Sequence, residues 1–306
     1  MDTKTKLPSI HKVIWTSFIV DVSDIVLSLI VAILSGSVVM LSQVFEGVAD
    51  FVASGALVLG AMRAETPADK KFPFGYGKEI YFWSFISAVV IICVTATFSI
   101  HFGWERYIHP KQIKDINLAY AILVFTTFTN LYAFYLSYKR LKGKSHTKKI
   151  LNAFLRSSLI ETKTTFVLDF AGTLASILGF LALVTYQLTG DHRYDGLGAI
   201  SVGIILAILG ALLIISIRDL LIGKSASPET LKQIRDISLT IPEVREVMDV
   251  KSMHIGSERL LINMDVSMKN NLTTSEIAGL IDDLKKKIKK EIPTVKHVQI
   301  ELELPS

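Results

Sequence analysis

The sequence predicts an α-helical membrane protein, with six transmembrane helices followed by a small C-terminal cytoplasmic α+β domain. Three observations predict it. Half of the 306 residues are hydrophobic and 20% are charged, and the charges are clustered rather than spread, as in an integral membrane protein with a polar extension. Six apolar runs lie at 13–35, 39–62, 81–103, 117–138, 159–188 and 195–217, each long enough to cross a bilayer as a helix, which takes about 20 mostly apolar residues. After the sixth run the pattern changes to helix, strand, strand, helix, strand.

The stretch 1–12 is short, polar and basic, and reads as a cytoplasmic tail. The first apolar run is too long for a cleavable signal peptide and lacks a small-residue cleavage site. Loop charges orient the spans. Lys4, Lys6 and Lys12 precede the first; Arg63, Lys70, Lys71 and Lys78 follow the second. Lys139, Arg140, Lys142, Lys144, Lys148, Lys149 and Arg156 follow the fourth, and Arg218 and Lys224 the sixth. The opposite loops are poorer in Lys and Arg, so both termini are predicted cytoplasmic, in a plasma or inner membrane. The net charge of +5 is thereby accounted for by membrane orientation, and nucleic acid is not expected as a partner. Cys93 is the single cysteine, so no internal disulfide can form.

Beyond the six-helix membrane domain expected over 13–222, residues 223–306 read as a small α+β sandwich of order α-β-β-α-β, a ferredoxin-like arrangement. Ser227-Pro228-Glu229 places an N-cap serine before a proline at the first helical position, opening a helix to about 240. Strands are predicted at 245–255 and 259–268. The second alternates Ile262, Met264, Val266 and Met268 against Asn263, Asp265 and Ser267. Thr273-Thr274-Ser275-Glu276 is a capping box opening a helix to about 292, and 295–303 alternates again with Val298, Ile300 and Leu302 on one face. The run Lys285-Lys286-Lys287-Ile288-Lys289-Lys290 reads as a solvated helix face, with contact to anionic lipid as the alternative.

Chemistry concentrates in the second and fifth spans. Glu46 and Asp50 are four apart and Gln43 lies three before Glu46, so all three share one helix face. A carboxylate at mid-membrane costs about 2.5–3.5 kcal/mol on insertion scales, and such groups mark ion or proton pathways. In the fifth span Glu161, Thr165 and Asp169 repeat the four-residue spacing. Bringing the two stripes together gathers oxygens around one point, where they would hold protons or a cation. Carboxylates must be deprotonated to bind metal, so loading competes with protonation. Other readings stand beside this one. Thr165 is either a ligand or back-bonded to its own helix. Glu161 is a ligand, an access or relay group, or an interfacial residue. The three deep carboxylates could instead form structural pairs with Lys163 or Arg156. Asp21 and Asp24 in the first span are also deep, and one of them could line the same cavity.

These residues carry a resemblance. Ser35-Gly36-Ser37 before the second helix, the Glu46/Asp50 pair, Phe72-Pro73-Phe74-Gly75-Tyr76-Gly77-Lys78-Glu79 leading into the third helix, and Thr165-x-x-x-Asp169 in the fifth together resemble the cation diffusion facilitators over nearly the whole chain. The resemblance implies a homodimeric divalent-cation/proton antiporter that exports or sequesters metal by alternating access. Its metal site would fall on Glu46, Asp50, Thr165 and Asp169, with Gln43, Asp21 and Glu161 as secondary candidates. The expected partners are the metal, protons, lipid and a second copy of the chain, meeting through the C-terminal domain and membrane helices; no resident cofactor is implied. Zinc-moving members usually have His in one or two of the positions held here by Glu46 and Thr165. An all-oxygen site favours Mn²⁺, Fe²⁺ or Mg²⁺, with Zn²⁺ still able to bind. In the C-terminal domain Asp265, Gln299 and Glu301 stand where zinc-binding relatives carry His, so dimerisation is expected there rather than a zinc cluster. Lone strand residues His254 and His297 are expected at the surface. A non-transporting scaffold or sensor, and a passive channel, are the other classes. No nucleotide loop or nucleophile–base pair supports an enzyme.

Overall fold

The computed structural model describes residues 10–143 and 159–303, with side chains described for 19, 22–142 and 159–303. Six long helices occupy the predicted spans: α1 (Ile10–Ser35), α2 (Val38–Ala64), α3 (Glu79–Ile108), α4 (Ile116–Gly143), α5 (Ile160–Thr189) and α6 (Arg193–Ile222). Helices of 26–30 residues run about 40–45 Å at 1.5 Å per residue, beyond the roughly 30 Å of bilayer hydrocarbon. Five are long and apolar enough to cross by themselves, and α1 adds the apolar segment Val22–Ser35. The chain is a multi-pass membrane protein. Three helices outrun their predicted ends: α3 continues past 103 to Ile108, α4 past 138 to Gly143 and α6 past 217 to Ile222. The charges of Glu105, Arg106, Arg218 and Asp219 end the apolar runs without ending the backbone hydrogen bonding. Within α3 a single π turn covers Ile91–Ala96, a local widening often found at functional helices. Lys144, Lys148, Lys149 and Arg156 of the basic loop lie outside the described residues.

The chain divides into two compact units, one made of Met1–Met62 with Ile80–Ile217 and the other of Arg63–Glu79 with Arg218–Ser306. In the first, apolar side chains turn outward at helical spacing, for example Ile204, Ile208, Leu212 and Ile215 on α6 and Ile19, Val26 and Ile33 on α1, a surface suited to acyl chains. Inside, Ala53, Leu57, Ile91, Leu168, Ala171, Ala175, Val202 and Leu206 join α2, α3, α5 and α6. Three of the eight are alanines, which let the helix backbones approach closely, and close approach favours helix association in lipid. Thr95 Oγ1 donates to Phe45 O at 3.2 Å and Ser87 Oγ to Ala53 O at 3.1 Å, so α3 is tied to the backbone of α2 on both sides of Glu46 and Asp50.

A polar clasp fixes the start of α2. The α1–α2 turn needs Gly36 at φ +65°, a backbone region that side chains rarely adopt. Asp195, in the first turn of α6 and fully buried, accepts from Ser37 Oγ at 2.6 Å, Val38 N at 2.9 Å and Val39 N at 3.1 Å. The two amides are orphan donors of a helix N-terminus, and a carboxylate there also opposes the helix dipole favourably. Arg106 of α3 lies 3.7 Å from Asp195 and donates to Gly36 O and, at 3.0 Å, to Lys111 O.

In the second unit, helix α7 (Pro228–Ser238), strands β1 (Val244–Gly256) and β2 (Arg259–Met268), helix α8 (Thr274–Glu291) and strand β3 (Val295–Leu302) follow the predicted order. The sheet order is β1-β2-β3, with β2 antiparallel to β1 and parallel to β3. Ser227 caps α7 and Thr273 with Glu276 forms the capping box of α8. Ile262, Met264 and Val266 are buried against Ile234, Ile237, Leu284 and Ile288, because a period-2 strand presents one face to the apolar stripes of both helices. The expectation of surface histidines fails at His254, which is 9% exposed. Its backbone N–H is bonded to Lys224 O, which draws that strand position beneath the segment before α7. His297 is half-buried, edge-on to Phe74 at 5.3 Å.

Residues 63–79 belong to this unit. Asp69 organises the turn, accepting from Lys71 N, Phe72 N and Tyr76 OH at 2.7–2.8 Å. These donors, the Phe72 amide foremost, hold its carboxyl below the ordinary carboxylate range. Gly77 lies against the β1–β2 turn so closely that a Cβ there would stand 2.5 Å from Ile255 O. The Phe-Pro-Phe-Gly-Tyr-Gly stretch therefore builds a compact connector whose glycine permits backbone contact. Lys78 Nζ lies 3.4 Å from Leu221 O.

Candidate metal site

The polar face of α2 turns inward as its spacing predicts. Gln43, Glu46 and Asp50 are 3%, 4% and 7% exposed. On α5, Thr165 and Asp169 are 7% and 6% exposed, whereas Glu161 is half-buried. The two helices meet at Gly172, one turn beyond Asp169. Glu46 Oε1 lies 2.6 Å from the point where a Cβ on Gly172 would stand, so the carboxylate in this position occupies the space left by the glycine.

The surrounding polar side chains are held by partners on their own and neighbouring helices. Asp169 Oδ2 accepts from Ser137 Oγ of α4. Thr165 Oγ1 donates to Glu161 O at 2.8 Å, the back-bonded reading, which uses the hydroxyl hydrogen and leaves the oxygen lone pairs as acceptors. Lys163, fully buried, lies 3.4 Å from Ser216 Oγ of α6. Arg140 Nε donates to Thr162 Oγ1 at 3.1 Å. Asp21 has no described side chain, and Arg156 lies outside the described residues. Asp24 is buried and bonded to α4, where Asn130 Nδ2 donates to its Oδ2 at 2.8 Å. Among the described residues no three His, Cys, Asp or Glu side chains gather closely enough to hold one ion. Around the carboxylates the remaining oxygens come from amides and hydroxyls.

Thr126, Asn130 and Ser137 of α4 are all buried and follow the same helical spacing of four and seven. That stripe was legible by the rule that found the α2 and α5 faces. It passed unread because none of its members carries charge.

Residues 14–222 match the family model described as "Cation efflux transmembrane domain", and residues 226–304 match "Cation efflux protein, cytoplasmic domain". The chain is 24% identical to the human "Proton-coupled zinc antiporter SLC30A9, mitochondrial", over 88% of this chain and 54% of that protein. It therefore spans about half the length of the first curated relatives it matches. It is 23% identical to "Magnetosome protein MamB" of Paramagnetospirillum magneticum, over 95% of this chain and 93% of that protein. Among solved structures, a nickel form of the MamM CTD aligns over 26% of this chain and 100% of that one, at 14% identity and a TM-score of 0.25.

Proposed function

We propose that this chain, which belongs to the cation efflux family, also called the cation diffusion facilitators, moves divalent metal ions across a membrane in exchange for protons. The observation that carries the reading is the meeting of α2 and α5 at Gly172. It sets Glu46 beside the turn that follows Asp169, with Asp50 and Thr165 buried on the same two helices. We assign the metal to Glu46, Asp50, Thr165 and Asp169, with Gln43 and Glu161 as neighbouring groups and Asp21 as the candidate from α1.

Carboxylates buried in a bundle are costly as bare anions and are held by protons or a cation. Because metal and proton compete for the same oxygens, binding one releases the other. In this mechanism deprotonated Glu46, Asp50 and Asp169 take the ion from the cytoplasm, and protons displace it after the site opens to the other side. An all-oxygen ligand set favours Mn²⁺ or Fe²⁺. Zinc is the second reading, favoured by the similarity to the human proton-coupled zinc antiporter and by the high rank of Zn²⁺ in general affinity order. We place both termini in the cytoplasm, in a plasma or inner membrane, and assign dimerisation to the cytoplasmic domain and membrane helices.

Uptake of Mn²⁺, Fe²⁺, Zn²⁺ and Mg²⁺ into proteoliposomes, with and without an imposed pH gradient, tests this reading. The expected result is gradient-driven uptake of Mn²⁺ or Fe²⁺ that Asp169→Ala abolishes. Uptake that ignores the pH gradient refutes the proton coupling, and uptake intact in Asp169→Ala refutes the site.

A further inference from the structure

We propose that Asn130 of α4 supplies a ligand oxygen to the transported metal, and that Asp24 of α1 and the Thr126 carbonyl are the groups that aim it. This inference builds on the site assigned above and adds a fourth-helix donor to it.

The geometry has two independent parts. The first is orientation. Asn130 Nδ2 donates to Asp24 Oδ2 at 2.8 Å and to Thr126 O at 3.0 Å. An amide NH₂ has two hydrogens to donate, so both are used on acceptors and the assignment of oxygen and nitrogen is decided by the bonding. Asp24 is held in turn by Thr129 Oγ1, 3.4 Å from its Oδ1. The Asn130 carbonyl is thereby turned away from α1.

The second part is convergence. Asn130 Oδ1 lies 2.8 Å from the point where a Cβ on Gly172 would stand, and Glu46 Oε1 lies 2.6 Å from that same point. Oxygens from α2 and α4 therefore meet at the missing side chain of α5, in a region where Asn130 is 6% and Glu46 4% exposed. An amide carbonyl beside a carboxylate is a donor pair suited to a hard, oxygen-preferring cation. The amide adds a ligand without adding a second negative charge to a buried site.

Calorimetric titration of the purified full chain in detergent with MnCl₂ or ZnCl₂ tests the proposal. Asn130→Ala is expected to weaken Mn²⁺ binding by at least about 10–100-fold, the loss that removal of an outer supporting group alone produces, and to weaken Zn²⁺ less. Asn130→Asp separates a ligand from a strut. It keeps an oxygen at the convergence point but sets an acceptor against Asp24 and the Thr126 carbonyl. A ligand role makes it bind Mn²⁺ more tightly than Asn130→Ala does. A purely structural role makes it the worse variant, and that order overturns the inference. Wild-type affinity in Asn130→Ala, with binding lost in Asp50→Ala, also overturns it and leaves the assigned site standing. Wild-type affinity in both variants removes the assigned site and this inference together. Should Asn130→Ala not fold, Gly172→Ala places a methyl on the same point; unchanged Mn²⁺ binding in that variant overturns the proposal.

Discussion

Replacing Asp195 with alanine is expected to destabilise the membrane unit by about 3–5 kcal/mol, the cost typical of removing one side of a buried charged pair. The structure supplies the terms. Asp195 is fully buried and accepts three hydrogen bonds, two of them from backbone amides at the start of α2. Each buried donor left without a partner costs about 1–3 kcal/mol, and a carboxylate opposing a helix N-terminus contributes about 0.3–1 kcal/mol, up to about 2 when partly buried. Arg106 offsets part of the loss because it retains Gly36 O and Lys111 O. Asp195→Asn keeps one acceptor oxygen and loses the charge, so it is expected between wild type and alanine. Ser37→Ala, which removes the side-chain cap on Met40 N and one of the three bonds to Asp195, is expected to cost about 1 kcal/mol. Equilibrium unfolding of the purified chain in mixed micelles measures all three. The reasoning fails if Asp195→Ala falls within about 0.5 kcal/mol of wild type, the usual range of an inconsequential surface change, or if Ser37→Ala is the most damaging of the set. The same variants probe function, because Gln43 and Glu46 sit within the turns that the clasp anchors.

Three further outcomes are expected. Ile262→Ala or Ile288→Ala, each at a fully buried position of the C-terminal domain, costs about 2–5 kcal/mol, read as a matching drop in amide protection across β2 and α8. Gly77→Ala sets a methyl 2.5 Å from Ile255 O and is expected to release 63–79 from the β1–β2 turn; unchanged hydrogen exchange at Phe72 and Gly256 refutes that contact. The folded carboxyl of Asp69 titrates below its unfolded range because Phe72 N, Tyr76 OH and Lys71 N donate to the anion. Its contribution is therefore present above the unfolded value near 4 and is lost as pH falls through the lower folded value. Asp69→Asn is expected to remove this acid-side loosening of the turn, measured as Phe72 amide exchange between neutral and acid pH.

Much was legible in the sequence because the bilayer restricts the choices. Backbone in lipid must be satisfied by a helix or a closed barrel, and the mostly apolar run 39–62 has the length of a membrane helix, about twice that of a membrane strand, so Glu46 and Asp50 share a face. The strand Ile262-x-Met264-x-Val266 and the Thr273/Glu276 capping box are equally local codes, and both appear at their predicted residues. The ends of α3 and α6 were less legible because hydropathy reports where lipid ends, whereas a helix continues while its hydrogen bonds do. Burial of His254 was not legible at all, since strand periodicity says which residues share a face but not which loop covers that face.

By itself the sequence determined the class of this protein. Its six spans, its α-β-β-α-β domain, the inward faces of α2 and α5 and the acidic character of the candidate site all follow from periodicity, charge and the energetics of lipid. The tertiary structure decided what those faces meet. That Asp195 caps a helix 157 residues away, that Ser137 holds Asp169, and that Asn130 and Glu46 converge on Gly172 are consequences of which helices pack together. Hydrogen bonds between distant residues leave no period in a chain; they exist only once packing has brought a donor from one helix within about 3 Å of an acceptor on another.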